Sequence, residues 1–460
     1  MAPKFYIKTF GCQMNVADSE RMAAVLSECG LELADRAEDS DLIIINGCTV
    51  REKAVHKAIS VLGEYNLLKN RRSKERLPLV LGIGGCVGQL EKSTLFKRAP
   101  YLDFIFGTDA IDSLPEILFR LKSGEKQLVY TDFDKTMDFS TETKVFQKRS
   151  QALVNIIKGC DKHCTYCIVP FTRGREKSRT TKEIVGDVAR LVTSGVREVM
   201  LLGQNVNSFG NTNGESFPAL LHAINADPGC SALKRIRFTS SHPLDFSDDL
   251  VSCFSKSGPC SVGRLAEHLH LPVQSGSNRI LQLMGRNHKI EDYIQKMKRL
   301  RDLSPDIGLS TDLIVGFPSE SDADFNDTLS LLDQVQFDSI YAFAYSPRPG
   351  TKAAEMPDDV APAIKNERLN KVLKHQLGIA EKRYASRVGK LMEVLVEGEA
   401  KNQGMNHSKG SDSKAIIWSG RTSCNRVVNF AAEGVDLRGK FVNVKITNAT
   451  SLSLHGEIVK

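Results

Sequence analysis

No run of apolar residues in this chain is long enough to cross a bilayer. The longest, such as "DLIIING", stop far short of the ~20 residues a spanning helix requires. Charge of one sign is scarce in excess too: a net +7 over 460 residues permits a nucleic-acid partner without demanding one. Low-complexity tracts and internal repeats are absent, and the opening "MAPKFYIKTFGCQ" enters a strand-like run with no signal or transit segment. Eleven cysteines without an export signal argue against a disulfide framework. They fit a reducing compartment in which some of them bind metal, so a cytoplasmic protein with no membrane partner is expected. What remains is an ordinary folding composition, 41% apolar and 25% charged, at a length that supports two or three cores.

Three regions follow from the patterning, all of α/β or β type. In residues 1–140 strand-like runs alternate with helical ones: "KFYIKTFG" with "DSERMAAVLSECG", "DLIIING" with "REKAVHKAISVLGEYNLL", then "LPLVLGIGG" with a shorter helix. This predicts a doubly wound parallel sheet. The polar stretch "TDFDKTMDFSTETKVFQKRSQ" reads as a linker. Residues 150–385 repeat the rhythm through six strand candidates, "ALVNIIKG", "REVMLLGQN", "RIRFTS", "HLHLPVQ", "GLSTDLIVGFP" and "FDSIYAFAYS", which predicts a partial (β/α) barrel. Residues 388–460 hold five short strands with Gly and Asn turns, the pattern of a small OB-like β-barrel.

Cysteine spacing carries the chemistry. "KGCDKHCTYC" places Cys160, Cys164 and Cys167 on the loop after the first barrel strand, with no fourth ligand at knuckle spacing. Structural zinc takes four ligands. Three thiolates instead suit an iron–sulfur cube with one iron left open to a further ligand; zinc and free thiols are the alternatives. "IVPF" after Cys167 would supply part of a dry wall around such a cube. Cys12, Cys48 and Cys86 each follow a Gly at the predicted carboxyl end of a parallel strand, so they should converge on one crevice as a second three-cysteine site. Cys29 fits a helix, and Cys230, Cys253, Cys260 and Cys424 show no arrangement beyond structure.

CxxxCxxC at this place resembles the radical S-adenosylmethionine (SAM) enzymes, in which SAM chelates the open iron and yields a 5′-deoxyadenosyl radical. By that resemblance "LLGQN" and "STDLIVGFPSE" belong to the SAM site, with Tyr166, Gln204, Ser241, Gln274 and Asp312 as its neighbours. The whole chain is similar to the methylthiotransferase family: "TFGCQMNVADSE", "CTVREKA", "GCVGQ", "CTYCIVPFTRGREKSR", "LLGQNVNSF", "LHLPVQSGS", "STDLIVGFPSE" and "FAYSPRPGT" match it in order. The resemblance implies two 4Fe–4S clusters, each on three cysteines, and SAM. "GQNVNSF" and "SPRPGT" favour the branch that adds a methylthio group to C2 of N6-dimethylallyladenosine at tRNA position 37, just 3′ of the anticodon. Siblings acting on threonylcarbamoyl-adenosine or on a ribosomal-protein aspartate share the cysteine spacing. A non-catalytic iron–sulfur carrier or RNA-binding protein is the alternative of another class. "INGCTVRE" and "MGRNH" depart from the family pattern, the latter at Asn287 and His288.

The implied partners are tRNA, a flavodoxin- or ferredoxin-like electron donor and a sulfur donor, acting on a monomer. "TRGREKSR" sets Arg173, Arg175, Lys177 and Arg179 at the mouth of the site as phosphate contacts. In the C-terminal barrel, which resembles the RNA-binding TRAM module, Arg421 and Arg426 would bind RNA. Trp418 and Phe430 are available there for stacking or for the core.

Overall fold

The structure, a computed structural model, describes residues 2–49, 52–133, 150–401 and 415–459. Most of the expected linker, residues 134–149, lies outside the described residues. The N-terminal region contains β1 (Lys4–Thr9), α1 (Gln13–Glu28), β2 (Glu32–Leu33), β3 (Leu42–Gly47), α2 (Glu52–Lys74), β4 (Val80–Gly84), α3 (Gly85–Glu91), β5 (Phe104–Phe106) and β6 (Leu128–Tyr130). The six strands are parallel, in the order β2-β1-β3-β4-β5-β6. Every residue of β3 is buried, as the continuous run "LIIING" requires of a strand covered on both faces. Ile43, Ile45, Leu81 and Ile83 pack on Leu62 of α2, while Phe5, Ile44, Phe104 and Phe106 pack on Met22 and Leu26 of α1. Chain order reverses between β1 and β3, and a doubly wound sheet opens its ligand crevice at that point.

The central region begins with β7 (Gln151–Asn155), then the short antiparallel pair β8 (Ile157–Lys158) and β9 (Lys177–Ser178). β10 (Glu198–Leu202), β11 (Arg235–Phe238), β12 (His268–His270), β13 (Gly308–Val315) and β14 (Ser339–Ala344) complete it. Two parallel three-stranded sheets, β7-β10-β11 and β12-β13-β14, are joined by a single bridge between Ile236 and Leu265. The result is an open barrel, and among the described residues no pairing joins β14 back to β7. One core between strands and outer helices includes Val154, Val199, Ile236, Leu269 and Leu313 against Ile184, Leu300 and Leu332.

After the helix Pro362–Ala385, β15 (Leu391–Glu399), β16 (Ile416–Thr422), β17 (Val427–Ala432), β18 (Phe441–Ala449) and β19 (Leu454–Val459) close into a barrel in the order β15-β16-β17-β19-β18. Trp418 and Phe430, each 2% exposed, are its core together with Val394, Val428 and Val444. The stacking role considered for them is thereby corrected. This small barrel docks at the amino-terminal ends of the central strands. Arg235, at the start of β11, donates to the carbonyls of Arg421 and Glu393, and Arg237 to those of Thr422 and Ser423. No described helix is long and apolar enough to cross a membrane.

Candidate functional site

β1, β3 and β4 are neighbours, so the loops that leave their carboxyl ends bring Cys12, Cys48 and Cys86 into one crevice. Two glycines make the approach possible. At Gly11 (φ +140°) an added Cβ would stand 2.5 Å from Cys48 Cβ, and at Gly85 (φ +75°) 2.2 Å from Asn46 Oδ1. The fully buried Asn46 is the hub: its Nδ2 donates to the Asn15 carbonyl (2.8 Å) and to Ser19 (2.9 Å), and its Oδ1 accepts from Asn15 Nδ2 (3.1 Å). It thus ties the turn at Cys12 to the strand before Cys48, and Gly85, at the start of the helix that carries Cys86, packs close against it. Neither Asn15 nor Asn46 was singled out from the sequence, because each reads as an unremarkable polar residue at a helix start or strand end.

A hydrogen bond with the Cys48 thiol, aided by the Arg173 charge and the backbone at Asn15 and Met14, pulls the thiol of Cys12, an exposed residue, down to about 6. Burial pushes the Cys86 thiol up, and Arg173 opposes that shift. Among the described residues no three His, Cys, Asp or Glu side chains are set to hold one metal ion. The group that the resemblance implies here is a polynuclear cluster, whose ligands sit on separate irons. A thiolate-prone cysteine, a cationic neighbour and a glycine-lined floor fit such a group.

The second triad lies on the loop pinched off by β8 and β9. Its base is fixed by Cys160 N–H to the Gly174 carbonyl (3.3 Å) and by Gly159 N–H to Gln204 Oε1. Its tip is held by Thr165, whose N–H donates to the Met284 carbonyl (2.9 Å) and whose carbonyl accepts from Ala353 N–H (2.8 Å). "MGRNH" and the residues after "SPRPGT", distant in sequence, therefore both brace the cysteine loop. Burial pushes Cys160 up to about 11 and Cys167 up to about 12. Binding of a metal is what deprotonates thiols raised in this way.

Cys164 Sγ has two polar neighbours that the sequence gave no reason to select, Arg286 Nη1 at 3.7 Å and His242 Nε2 at 3.9 Å. Leu244 N–H donates to His242 Nδ1 (3.2 Å), which leaves the ring proton on Nε2, facing the sulfur. Burial and the charges of Arg286 and Lys162 pull the His242 pKa to about 2, so the ring is neutral.

The remaining cofactor candidates stand at or just beyond carboxyl ends of the central strands, with Asp312 inside β13. Ser241 Oγ is buried with no hydrogen-bond partner among the described residues. Gln274 adopts a left-handed backbone (φ +80°) and donates its N–H to the Asp312 carbonyl (2.9 Å). Asp312 faces His270 Nε2 at 3.5 Å. Tyr166 stands edge-on to Phe317, and burial pushes its hydroxyl well above the usual range.

The segments that carry the two triads meet at one seam. Arg173, six residues after Cys167, forms an ion pair at 2.7 Å with Asp18, six residues after Cys12. Lys158 pairs with Asp109, Thr108 Oγ1 donates to the Thr172 carbonyl (2.7 Å), and Met14 and Ala17 of α1 pack on Leu202. This placement corrects part of the RNA expectation. Arg173 is buried, Arg179 is buried against Asp187 (2.7 Å), and Arg426 is buried against Asp338 and over the Tyr384 ring. Their charges are used inside the protein, where an unpaired guanidinium would be untenable. Arg175 is exposed beside Asp161, Lys177 is half-buried on β9, and Arg421 is half-exposed beside Glu397. Within "IVPF", Ile168 is buried but Phe171 is half-exposed, so the dry wall is only partly built from that run.

Three family models match the chain in order: the uncharacterized protein family UPF0004 over residues 4–107, the radical SAM superfamily over 154–332 and the TRAM domain over 385–459. The chain is similar over its length to proteins named tRNA-2-methylthio-N(6)-dimethylallyladenosine synthase. That of Bdellovibrio bacteriovorus is 42% identical, with 99% of this chain and 95% of that protein covered. For Hahella chejuensis the figures are 41%, 100% and 99%, and for Legionella pneumophila strain Corby 43%, 100% and 99%. Among solved structures, the radical S-adenosylmethionine methyltransferase TsrM of Kitasatospora setae, with cobalamin and a 4Fe–4S cluster bound, superposes with a TM-score of 0.57 at 12% identity. It covers 77% of each chain, a likeness of fold.

Proposed function

The chain belongs to the tRNA-2-methylthio-N(6)-dimethylallyladenosine synthase family, and from that membership we propose how its two cysteine triads divide the reaction. It is a radical SAM tRNA methylthiotransferase that adds a methylthio group to C2 of N6-dimethylallyladenosine. We place the target nucleotide just 3′ of the anticodon. The hydrogen on C2 of adenine is not acidic enough for any side-chain base, so proton abstraction is not a route.

Cys160, Cys164 and Cys167 would hold one 4Fe–4S cluster together with SAM, and Cys12, Cys48 and Cys86 a second. When bound, these groups supply a hydrogen-abstracting carbon radical and an open iron at which sulfur can be presented. Arg286 and the Nε2–H of His242 orient and stabilise the Cys164 sulfur. Tyr166, Phe317, Met284 and Ile280 form an apolar cluster beside the loop that limits water. Gln204, Ser241, Gln274 and Asp312 are the side chains we assign to SAM. The observation that carries the division of labour is the ion pair of Arg173 with Asp18. It locks the loop of one triad against the helix that starts at the other, which favours transfer between them by proximity. A low-potential flavodoxin- or ferredoxin-like electron donor and a separate sulfur donor complete the scheme, in a cytoplasmic monomer.

The test is nucleoside mass spectrometry on an anaerobic reaction of reconstituted protein, SAM, a strong reductant and tRNA carrying the prenylated adenosine. A methylthio product that vanishes with Cys160→Ala is expected. Formation of 5′-deoxyadenosine without modified tRNA would keep the radical site and sink the substrate assignment.

A further inference from the structure

The segment that departs from the family pattern, "MGRNH", lines a cavity that the reaction scheme leaves unused. Asn287, His288 and Lys289 line it together with Asp292 and Lys296 of the helix Ile290–Leu303 and with Leu244 from the loop after β11. Its volume is about 360 Å³, the size of a ligand site. It opens to the surface: Leu244 is 45% exposed, and Asn287, Lys289 and Asp292 are exposed as well. The cysteine loop lies just behind this wall. Leu244 N–H donates to His242 Nδ1 (3.2 Å), and Nε2 of the same ring stands 3.9 Å from Cys164 Sγ. A single imidazole therefore separates a residue of the cavity wall from a cysteine of the barrel triad. His288 meets the His242 ring edge-on at 6.2 Å and stands 6.4 Å from the Tyr293 ring. Its Nδ1 donates to the Arg286 carbonyl (3.3 Å), which leaves Nε2 a buried acceptor with no partner among the described residues.

We propose that a reduced electron-carrier protein, acidic around an apolar centre, docks on this cavity and passes its electron to the barrel cluster through His242 and Cys164. This deepens the reading above and rests on the cluster held by Cys160, Cys164 and Cys167. The donor loses one electron and the cluster gains it; no bond forms or breaks. The charges on the wall favour such a partner. Lys289 and Lys296 stand against one carboxylate, Asp292, while the flanking pairs Lys162–Asp245 (2.8 Å) and Arg299–Asp248 (2.7 Å) cancel. Lys296 is held in place by its bond to the Phe246 carbonyl (2.6 Å). A positive rim around Leu244 and Pro243 suits a small contact that charge steers and that separates readily after transfer. RNA suits it less, because a phosphate backbone brings no apolar surface to lay on Leu244. Lys158, Thr172 and Arg173, which form the seam between the segments of the two triads, also take no part in the cavity.

The test uses the reconstituted full-length protein and two acidic probes, a bacterial flavodoxin and a two-cluster ferredoxin, each reduced beforehand. Probe binding is measured directly. Reduction is followed by stopped-flow absorbance and freeze-quench EPR, the signal that shifts on adding SAM identifying the barrel cluster; dithionite is the small reductant that needs no docking. Leu244→Glu with Lys289→Glu, both at exposed positions, reverses the sign of the rim. It should weaken binding of each probe and slow reduction by it roughly tenfold or more at low salt. Added salt should slow the reaction of wild type and speed that of the double variant. Reduction by dithionite, iron content and tRNA affinity should stay unchanged, and each single substitution should give a smaller loss of the same sign. Wild-type binding and kinetics with both probes in the double variant, or equal slowing with dithionite, would overturn the docking site. Loss of tRNA affinity with reduction by the probes intact would overturn it too, and would assign the face to RNA. A wild-type cluster reduced by dithionite and by neither probe would overturn the docking partner while the radical site stands. A wild type with no SAM-responsive cluster would overturn the reading above with it.

Discussion

Arg173→Ala should weaken the seam between the N-terminal and central regions and leave RNA electrostatics untouched, whereas Arg175→Ala, two residues on, should do the reverse. Arg173 and Asp18 expose only 4% and 8% of their side chains and form an ion pair at 2.7 Å. Removing the arginine strands a buried carboxylate, which costs about 3–5 kcal/mol. With m on the order of 3 kcal/mol per M for a region of this size, the urea midpoint should fall by about 1 M or more. Arg175 exposes 87% of its side chain, so its pair with Asp161 is screened by solvent and adds little to stability. If it neutralises one phosphate, its loss should reduce the slope of log K against log salt by about 0.7–0.9. The assays are urea unfolding of the metal-free protein and tRNA binding between ~50 and ~200 mM salt. A control, Arg173→Met with Asp18→Asn, removes both charges and should recover much of the stability. An Arg173→Ala protein as stable as wild type with a reduced salt slope would refute the reasoning, because it would mean that the guanidinium faces RNA.

Asn46→Ala should strip hydrogen bonds from buried Asn15 and from Ser19, costing about 1–3 kcal/mol locally. Iron analysis after reconstitution should then show the N-terminal site depleted, read most cleanly with Cys160, Cys164 and Cys167 all changed to Ala; full loading there would count against the hub. His242→Phe removes one N–H from the Cys164 sulfur and should lower the potential of the barrel cluster by on the order of 50 mV, taking about 1 kcal/mol for the hydrogen bond and 59 mV per tenfold. A potentiometric titration followed by EPR that finds no shift would remove the histidine from that role. Trp418→Ala should cost about 3–5 kcal/mol as a core truncation. At temperatures where the variant remains folded its tRNA affinity should equal wild type; a selective loss of binding would restore the stacking role.

Much of the architecture was legible because it follows from period and run length. The continuous "LIIING" can only be a strand buried on both faces, and cysteines placed after a glycine at three neighbouring strand ends have one crevice to share. Burial of charge was not legible. "TRGREKSR" looks like a uniform basic run, yet a helical turn ending at Arg173 and the short strand β9 send alternate guanidiniums inward, to Asp18 and Asp187, whose positions are set by other helices. Trp418 illustrates the same gap: on a short strand a ring can face in or out, and only closure of the barrel decides. Arg286 and His242 were hidden for another reason. They sit 44 positions apart on two loops, and only the wrap of the barrel brings both to one sulfur.

The position of the small barrel constrains how RNA can lie on the protein. Arg235, Glu267 and Asp338, at or just before the starts of central strands, and Arg237, two residues into β11, hold it through Arg421, Ser423, Thr422 and Arg426. The cysteine loop leaves the opposite ends. β13 spans eight residues, so about 23 Å of strand separates the two levels. An RNA that contacts Arg421 and also presents its base at the level of the cysteine loop must reach along that length, which a short loop with few paired nucleotides cannot do. Arg421→Ala should therefore weaken binding of intact tRNA and reduce its salt slope by close to one phosphate, about 0.7–0.9. The same substitution should leave the affinity for a minimal stem-loop carrying the target nucleotide unchanged. Equal losses on both RNAs would mean that the substrate folds back over the small barrel, and that the two ends of the central strands are bridged by something other than an extended RNA.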